Sequence, residues 1–178
     1  KNGTILMSHS SHKVPGVNLS TGSLGHGLPV STGIALSKKI LNKNGKVFVL
    51  LSGGELNEGS NWESLLFISH HNLNNLVIII DYNKIQSLDF VNKTLKLQPL
   101  KKKFTSFGCK VLEIDGHNHK EIFKSLKNSS NRPLVIIANT IKGKGISFME
   151  DVTRWHNTMP NQKEIEIARR DLETNCIK

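Results

Sequence analysis

Cysteine is scarce in this chain. Cys109 and Cys176 are the two in 178 residues, far apart and outside any CxxC or Cys/His spacing. Neither a zinc site nor a disulfide framework is indicated by that pattern, and a reducing compartment fits it. No apolar run approaches the roughly 20 residues a membrane helix needs, and no signal-peptide pattern is legible, so a cytoplasmic location without membrane contact is expected. Aromatic residues are few, seven Phe, two Trp and one Tyr, and none is interleaved with basic residues as a base-stacking platform requires. Acidic residues are also in deficit, 14 against 24 Lys and Arg, for a formal charge of +10. The lysines are scattered, however, and only Lys101-Lys102-Lys103 forms a run, so the excess reads as a solvated basic surface rather than a nucleic-acid interface. Internal repeats and low-complexity segments are absent, and the length suits one domain spanning residues 1–178.

What the sequence does contain is a set of short apolar runs that end in turn residues. Residues 47–51 run into Ser52-Gly53-Gly54, and residues 76–80 run into Asp81-Tyr82-Asn83-Lys84-Ile85-Gln86. Residues 110–114 and 134–138 are two further runs of this kind, the last followed by Thr140-Ile141-Lys142-Gly143-Lys144-Gly145. Helical patterns fall over about residues 23–41, 59–72, 120–126 and 161–175. In the second of these, Trp62, Leu65, Leu66 and Ser69 recur at three- and four-residue spacing, the mark of an amphipathic helix. Residues 87–108 have no sustained period and read as an irregular excursion ending in a short helix. Strands alternating with helices predict an α/β fold, a doubly wound parallel sheet with helices on both faces. Right-handed crossovers would bring Gly53, Gly54 and Asn83 to one rim, where ligands of such sheets bind. The first 21 residues read as a loop carrying His9 and His12. The expected helix from Ser23 has three glycines within nine residues, which calls for close packing or a ligand.

A glycine turn with an asparagine opposite suits a diphosphate held through a divalent cation, since Mg²⁺ takes amide, carbonyl and phosphate oxygens. The run Gly53-Gly54-Glu55-Leu56-Asn57-Glu58-Gly59-Ser60-Asn61-Trp62-Glu63, followed by Asp81-Tyr82-Asn83-Lys84-Ile85-Gln86, resembles the thiamine diphosphate motif of transketolases. The N-terminal subunit of the split, two-chain form is the nearest pattern. Pro15-Gly16-Val17, the Thr21 to Gly27 run, the Thr140 to Gly145 run and Trp155-His156 resemble further family segments in the same order.

The resemblance implies ketol transfer, the movement of a two-carbon unit from a ketose phosphate to an aldose phosphate, with thiamine diphosphate and Mg²⁺ as cofactors. By the same resemblance, Gly22, Ser23 and Leu24 contact the cofactor through backbone atoms and Gly54 meets the diphosphate. Asn83 and the Ile85 carbonyl bind the metal, Glu58 supports the site, and His156 lies near the diphosphate and the reacting centre. His9 corresponds, across a one-residue gap, to a histidine that contacts the sugar. The family pattern also implies a histidine-bearing segment ahead of residue 1 and a pyrimidine-binding domain on another chain or region, so a hetero-oligomer is expected. One departure stands out: Gly53 occupies the position of the family's metal-binding aspartate. Glu55, two residues on, follows the motif rather than standing at the ligand position, so it does not replace that aspartate. The substitution keeps a second reading in view, a non-catalytic transketolase-like paralogue in an assembly or regulatory role.

Overall fold

The computed structural model describes residues 4–6, 9–87 and 89–176, except for the side chains of residues 175 and 176. Four strands, β1 (Val47–Ser52), β2 (Leu76–Tyr82), β3 (Lys110–Asp115) and β4 (Leu134–Asn139), form one sheet in the order β1-β2-β4-β3. Every pairing is parallel, with Ser52 beside Asp81, Asp81 beside Ala138, and Asp115 beside Asn139. All four carboxyl ends therefore open on one edge, as the alternation of apolar runs and helices predicts.

Alternation along the strands sorts their side chains between two layers. Val49, Leu51, Ile78, Ile80, Val135 and Ile137 join the larger core, where helix α1 (Gly27–Ile40) and helix α2 (Gly59–His70) pack. After the four-residue turn of helix α3 (Val91–Thr94), helix α4 (Leu100–Ser106) adds Leu100 and Phe104 to the same core. The opposite face carries Val77, Leu134 and Ile136 and is covered by helix α5 (His119–Leu126) through Leu126. Helices thus lie on both faces, but unevenly, since Phe48 and Leu50 of β1 stay exposed on the α5 side. Helix α6 (Gln162–Cys176) packs on the loop after β4, where Asp171 accepts hydrogen bonds from Ser147.

Two expectations need correction. Helix α1 starts at Gly27, not Ser23, because Gly25 sits at a φ of +79°, a left-handed backbone that a helix cannot continue through. Pro29 is then in the first turn, where its missing N–H costs nothing. In α2 the buried stripe is Asn61, Ser64, Leu65 and Ile68, while Leu66 points outward and is 63% exposed. The close packing foreseen for α1 is realised through Ser31, Thr32 and Ala35, which face inward. No described helix is long and apolar enough to cross a membrane.

Candidate active site

The rim begins where β1 ends. Gly53 is buried and donates its N–H to the Asp81 carbonyl at 3.0 Å, holding the glycine pair against the end of β2. A Cβ on Gly54 would stand 3.3 Å from Gln86 Cγ, so the two glycine-turn and asparagine-turn segments meet directly. Separation by thirty residues in sequence is closed to contact in space. Asn83 folds its side-chain oxygen onto the Ile85 N–H at 3.0 Å, across Lys84 at a φ of +64°. A left-handed lysine is strained, and its place beside the predicted metal ligands suits a backbone held for function. The Lys84 carbonyl and Gln86 N–H are taken by the short ladder to residues 89–91, which leaves the Ile85 carbonyl outside that ladder.

Loop residues 9–26 bring the remaining predicted contacts to the same edge. Ser10 and Thr21 form an antiparallel bridge, and their hydroxyls lie 2.8 Å apart. Gly22 follows directly, and a Cβ on it would stand 3.4 Å from the His9 ring, so His9 lies against the predicted cofactor-contacting segment. Gly22, Ser23 and Leu24 are exposed and make no hydrogen bond of their own among the described residues. Glu58 is exposed at the start of α2, with its Cβ 2.7 Å from the position a Gly25 Cβ would take.

His156 ends the Thr153–His156 turn and is exposed. That turn closes an excursion that leaves the rim at Thr140, whose hydroxyl is hydrogen-bonded to Asp81 Oδ1. The indole of Trp155 donates to the Phe148 carbonyl at 2.9 Å and so fixes the turn. Among the described residues no hydrogen bond joins His156 to Gly54 or Asn83. The structure therefore gathers Gly22 to Leu24, His9, Glu58, Gly54, Asn83 and Ile85 on one edge and sets His156 on a neighbouring loop.

Residues to which the sequence pattern assigns no role complete the picture. Glu55 turns its carboxylate to the Gly25 N–H at 2.9 Å and the Ser52 N–H at 3.4 Å. His117, in the turn after β3, accepts from the Ile141 N–H through Nε2 at 2.8 Å and ties two strand ends together. Asn57 donates to Gln86 at 3.2 Å, yet Asn57 Oδ1 and Gln86 Nε2 are buried without a partner among the described residues. An unpaired acceptor and donor beside Gly54 fit a polar ligand there. Trp62 donates to the Leu56 carbonyl at 2.8 Å and stacks on Phe104 at 5.6 Å, bracing the turn from below.

The residues expected to hold a metal offer neutral oxygens. Among the described residues no group of three His, Cys, Asp or Glu could hold an ion, and the donors on offer are Asn83 Oδ1 and the Ile85 carbonyl. Such a pair suits Mg²⁺ sharing its coordination with phosphate and water, without the anionic ligand a carboxylate would add.

Residues 7–177 match the family model described as transketolase, thiamine diphosphate binding domain. The chain belongs to this family. It is 44% identical over 164 residues to an apulose-4-phosphate transketolase subunit of Actinobacillus succinogenes, covering 91% of this chain and 59% of that protein. It is 35% identical to the 6-deoxy-6-sulfo-D-fructose transketolase subunit SqwG of a Clostridium species, covering 96% and 64%. A crystal structure of Campylobacter jejuni transketolase superposes with a TM-score of 0.83 at 30% identity, over 89% of this chain and 26% of that one. This transketolase-family chain thus spans about three-fifths of the Actinobacillus and Clostridium relatives, both of which are named as subunits.

Proposed function

We propose that this chain supplies the diphosphate-binding half of a two-chain transketolase, moving a two-carbon ketol unit from a ketose phosphate to an aldose phosphate. The observation that carries the reading is the meeting of Gly54 with Gln86, which puts the glycine turn directly beside the Asn83 turn. In this reading the Gly54 backbone faces the diphosphate, Asn83 Oδ1 and the Ile85 carbonyl hold a divalent cation, and the free backbone of residues 22–24 takes the rest of the cofactor. When bound, thiamine diphosphate supplies the nucleophilic carbon that breaks and remakes the ketose carbon–carbon bond. His9 and His156 offer imidazole nitrogens that bind sugar hydroxyls and pass protons near neutral pH, and Glu58 steadies the site at the start of α2. A pyrimidine-domain partner closes the cleft over the rim and excludes water.

The second reading, an assembly or regulatory component that keeps the fold without turnover, rests on Gly53. Its backbone is right-handed, with φ −60° and ψ −41°, so an aspartate can adopt it. A Cβ there would stand 3.2 Å from the Tyr82 ring, which must yield by a few tenths of an ångström. Calorimetry with Mg²⁺ and the partner chain decides between the two. Binding of thiamine diphosphate to the natural chain, tightened about tenfold or more by Gly53→Asp, supports the enzyme. Absence of heat for both proteins eliminates it and leaves the assembly role.

A further inference from the structure

We infer that Glu55 is a positioning residue that suspends the cofactor-contacting segment, residues 22–24, in its binding shape; the inference rests on the function proposed above. That segment makes no hydrogen bond of its own among the described residues, so its shape is set by what holds its two ends. Upstream, Thr21 is fixed by the Ser10 carbonyl at 3.3 Å and by the Ser10 hydroxyl. Downstream, Gly25 is held at both of its polar groups. Its N–H is bound by Glu55 Oε1 at 2.9 Å and its carbonyl by the Ser60 hydroxyl at 2.7 Å.

The Glu55 carboxylate reaches two segments at once, since Oε2 also accepts from Ser52 N–H at the end of β1. No cation neutralises it among the described residues; the two amides are its partners, and a half-buried carboxylate without them would be costly. Its own backbone is held in return, with the N–H on Ser52 Oγ at 3.2 Å and the carbonyl on Asn61 Nδ2 at 2.6 Å. Glu55 therefore couples the glycine turn to the loop before α1 through a side chain whose every end is fixed.

The consequence for binding is entropic. Backbone donors and acceptors in residues 22–24 remain free for a ligand while the loop is already ordered, so binding does not have to meet the cost of ordering it. In this chain, where the metal lacks an anionic protein ligand, such preorganisation carries a larger share of cofactor affinity.

Two measurements on the chain together with its partner test this. The first is amide exchange in the cofactor-free protein, followed at Gly25 and across residues 21–27. The second is thiamine diphosphate affinity by calorimetry with Mg²⁺. Glu55→Ala is expected to speed Gly25 exchange and to weaken the cofactor by about tenfold or more, with Glu55→Gln, which keeps one acceptor oxygen, in between. Loss of thermal stability with unchanged affinity would mark Glu55 as structural only and overturn the proposal, as would unaltered exchange at Gly25 in both variants. Should Glu55→Ala fail to fold, the Gln variant decides by the same two readings. If the natural chain itself gives no heat with the cofactor, the proposed function fails, and Gly25 exchange still decides whether Glu55 orders the loop.

Discussion

Replacing Gly25 with alanine should damage the fold far more than replacing Gly33, although both glycines belong to the same small-residue run. A Cβ on Gly25 would lie 2.5 Å from Ser60 Oγ and 2.7 Å from Glu58 Cβ, separations that real Cβ atoms do not tolerate. The φ of +79° adds a left-handed penalty of about 1–2 kcal/mol for an L side chain. Pushing Ser60 aside removes its bond to the Gly25 carbonyl, worth about 0.5–1.5 kcal/mol, and overpacking costs about 1–3 kcal/mol more. The contributions overlap, so a loss near 3–5 kcal/mol is expected, which for a domain of this size lowers the melting temperature by roughly 10 °C. Gly33 is the control. It lies mid-helix and exposed, with nothing within 4 Å of a Cβ, so Gly33→Ala should stabilise by about 0.5–1 kcal/mol through helix propensity. Circular-dichroism melts without cofactor measure both, since ligand binding would shift the midpoints. If the two variants move the midpoint in the same direction, or Gly25→Ala melts like the natural chain, the described geometry of the loop before α1 is wrong.

Other outcomes follow from single contacts. Burial pushes the Cys109 thiol up to about 11 against the opposing pull of Arg132, so in a Cys176→Ser background Cys109 should resist iodoacetamide until the chain is denatured. Because the folded value lies above the ordinary 9.0, this thiol's contribution is intact below pH 9.0 and lost towards about 11. Denaturant titrations should show a fall of about 2–3 kcal/mol across that window, reduced in Cys109→Ala. Asp171 is held below its ordinary 3.8 first by the Ser147 hydroxyl and then by its N–H, so the contact of α6 with the loop should persist through mild acid and fail only as pH falls beneath that value. Asp171→Asn should loosen it at neutral pH, read as faster exchange of the Ser147 amide. Thr140→Val leaves the half-buried Asp81 carboxylate short of a donor and should cost about 1–3 kcal/mol, measured by denaturant unfolding.

The apolar runs carried most of the fold because a strand buried on both faces needs an unbroken series such as Leu76 to Ile80, and little else in a soluble chain produces one. Residues 76–80 were foreseen as strand and extend by two, to Tyr82, because pairing with β4 continues through Tyr82 opposite Asn139. The start of α1 was less legible than those of α2, α5 and α6, which fall within a residue of expectation. Small residues from Ser23 onward fit a helical stripe, yet the backbone hand of Gly25 is set by Glu55, Glu58 and Ser60, which lie some thirty residues away. The same distance hid the role of Glu55. As a sequence position it is simply the residue after a glycine pair, and only the fold shows that its carboxylate faces an amide ahead of α1. Motif residues such as Asn83 and Gly54 could be placed because each follows a recognisable strand. His156 follows a long loop, and the course of that loop is set by contacts at Gly143, Met149 and Trp155 that have no periodic signature.

The two tryptophans give the molecule two optical labels, one beside the glycine pair and one in the loop after β4. One indole hangs from the carbonyl of Leu56, just past the glycine pair, and the other from that of Phe148, within the loop that carries His156. A chain retaining a single indole would therefore report on one of these two places alone, so which of them responds first to an added ligand is open to direct observation without any attached dye.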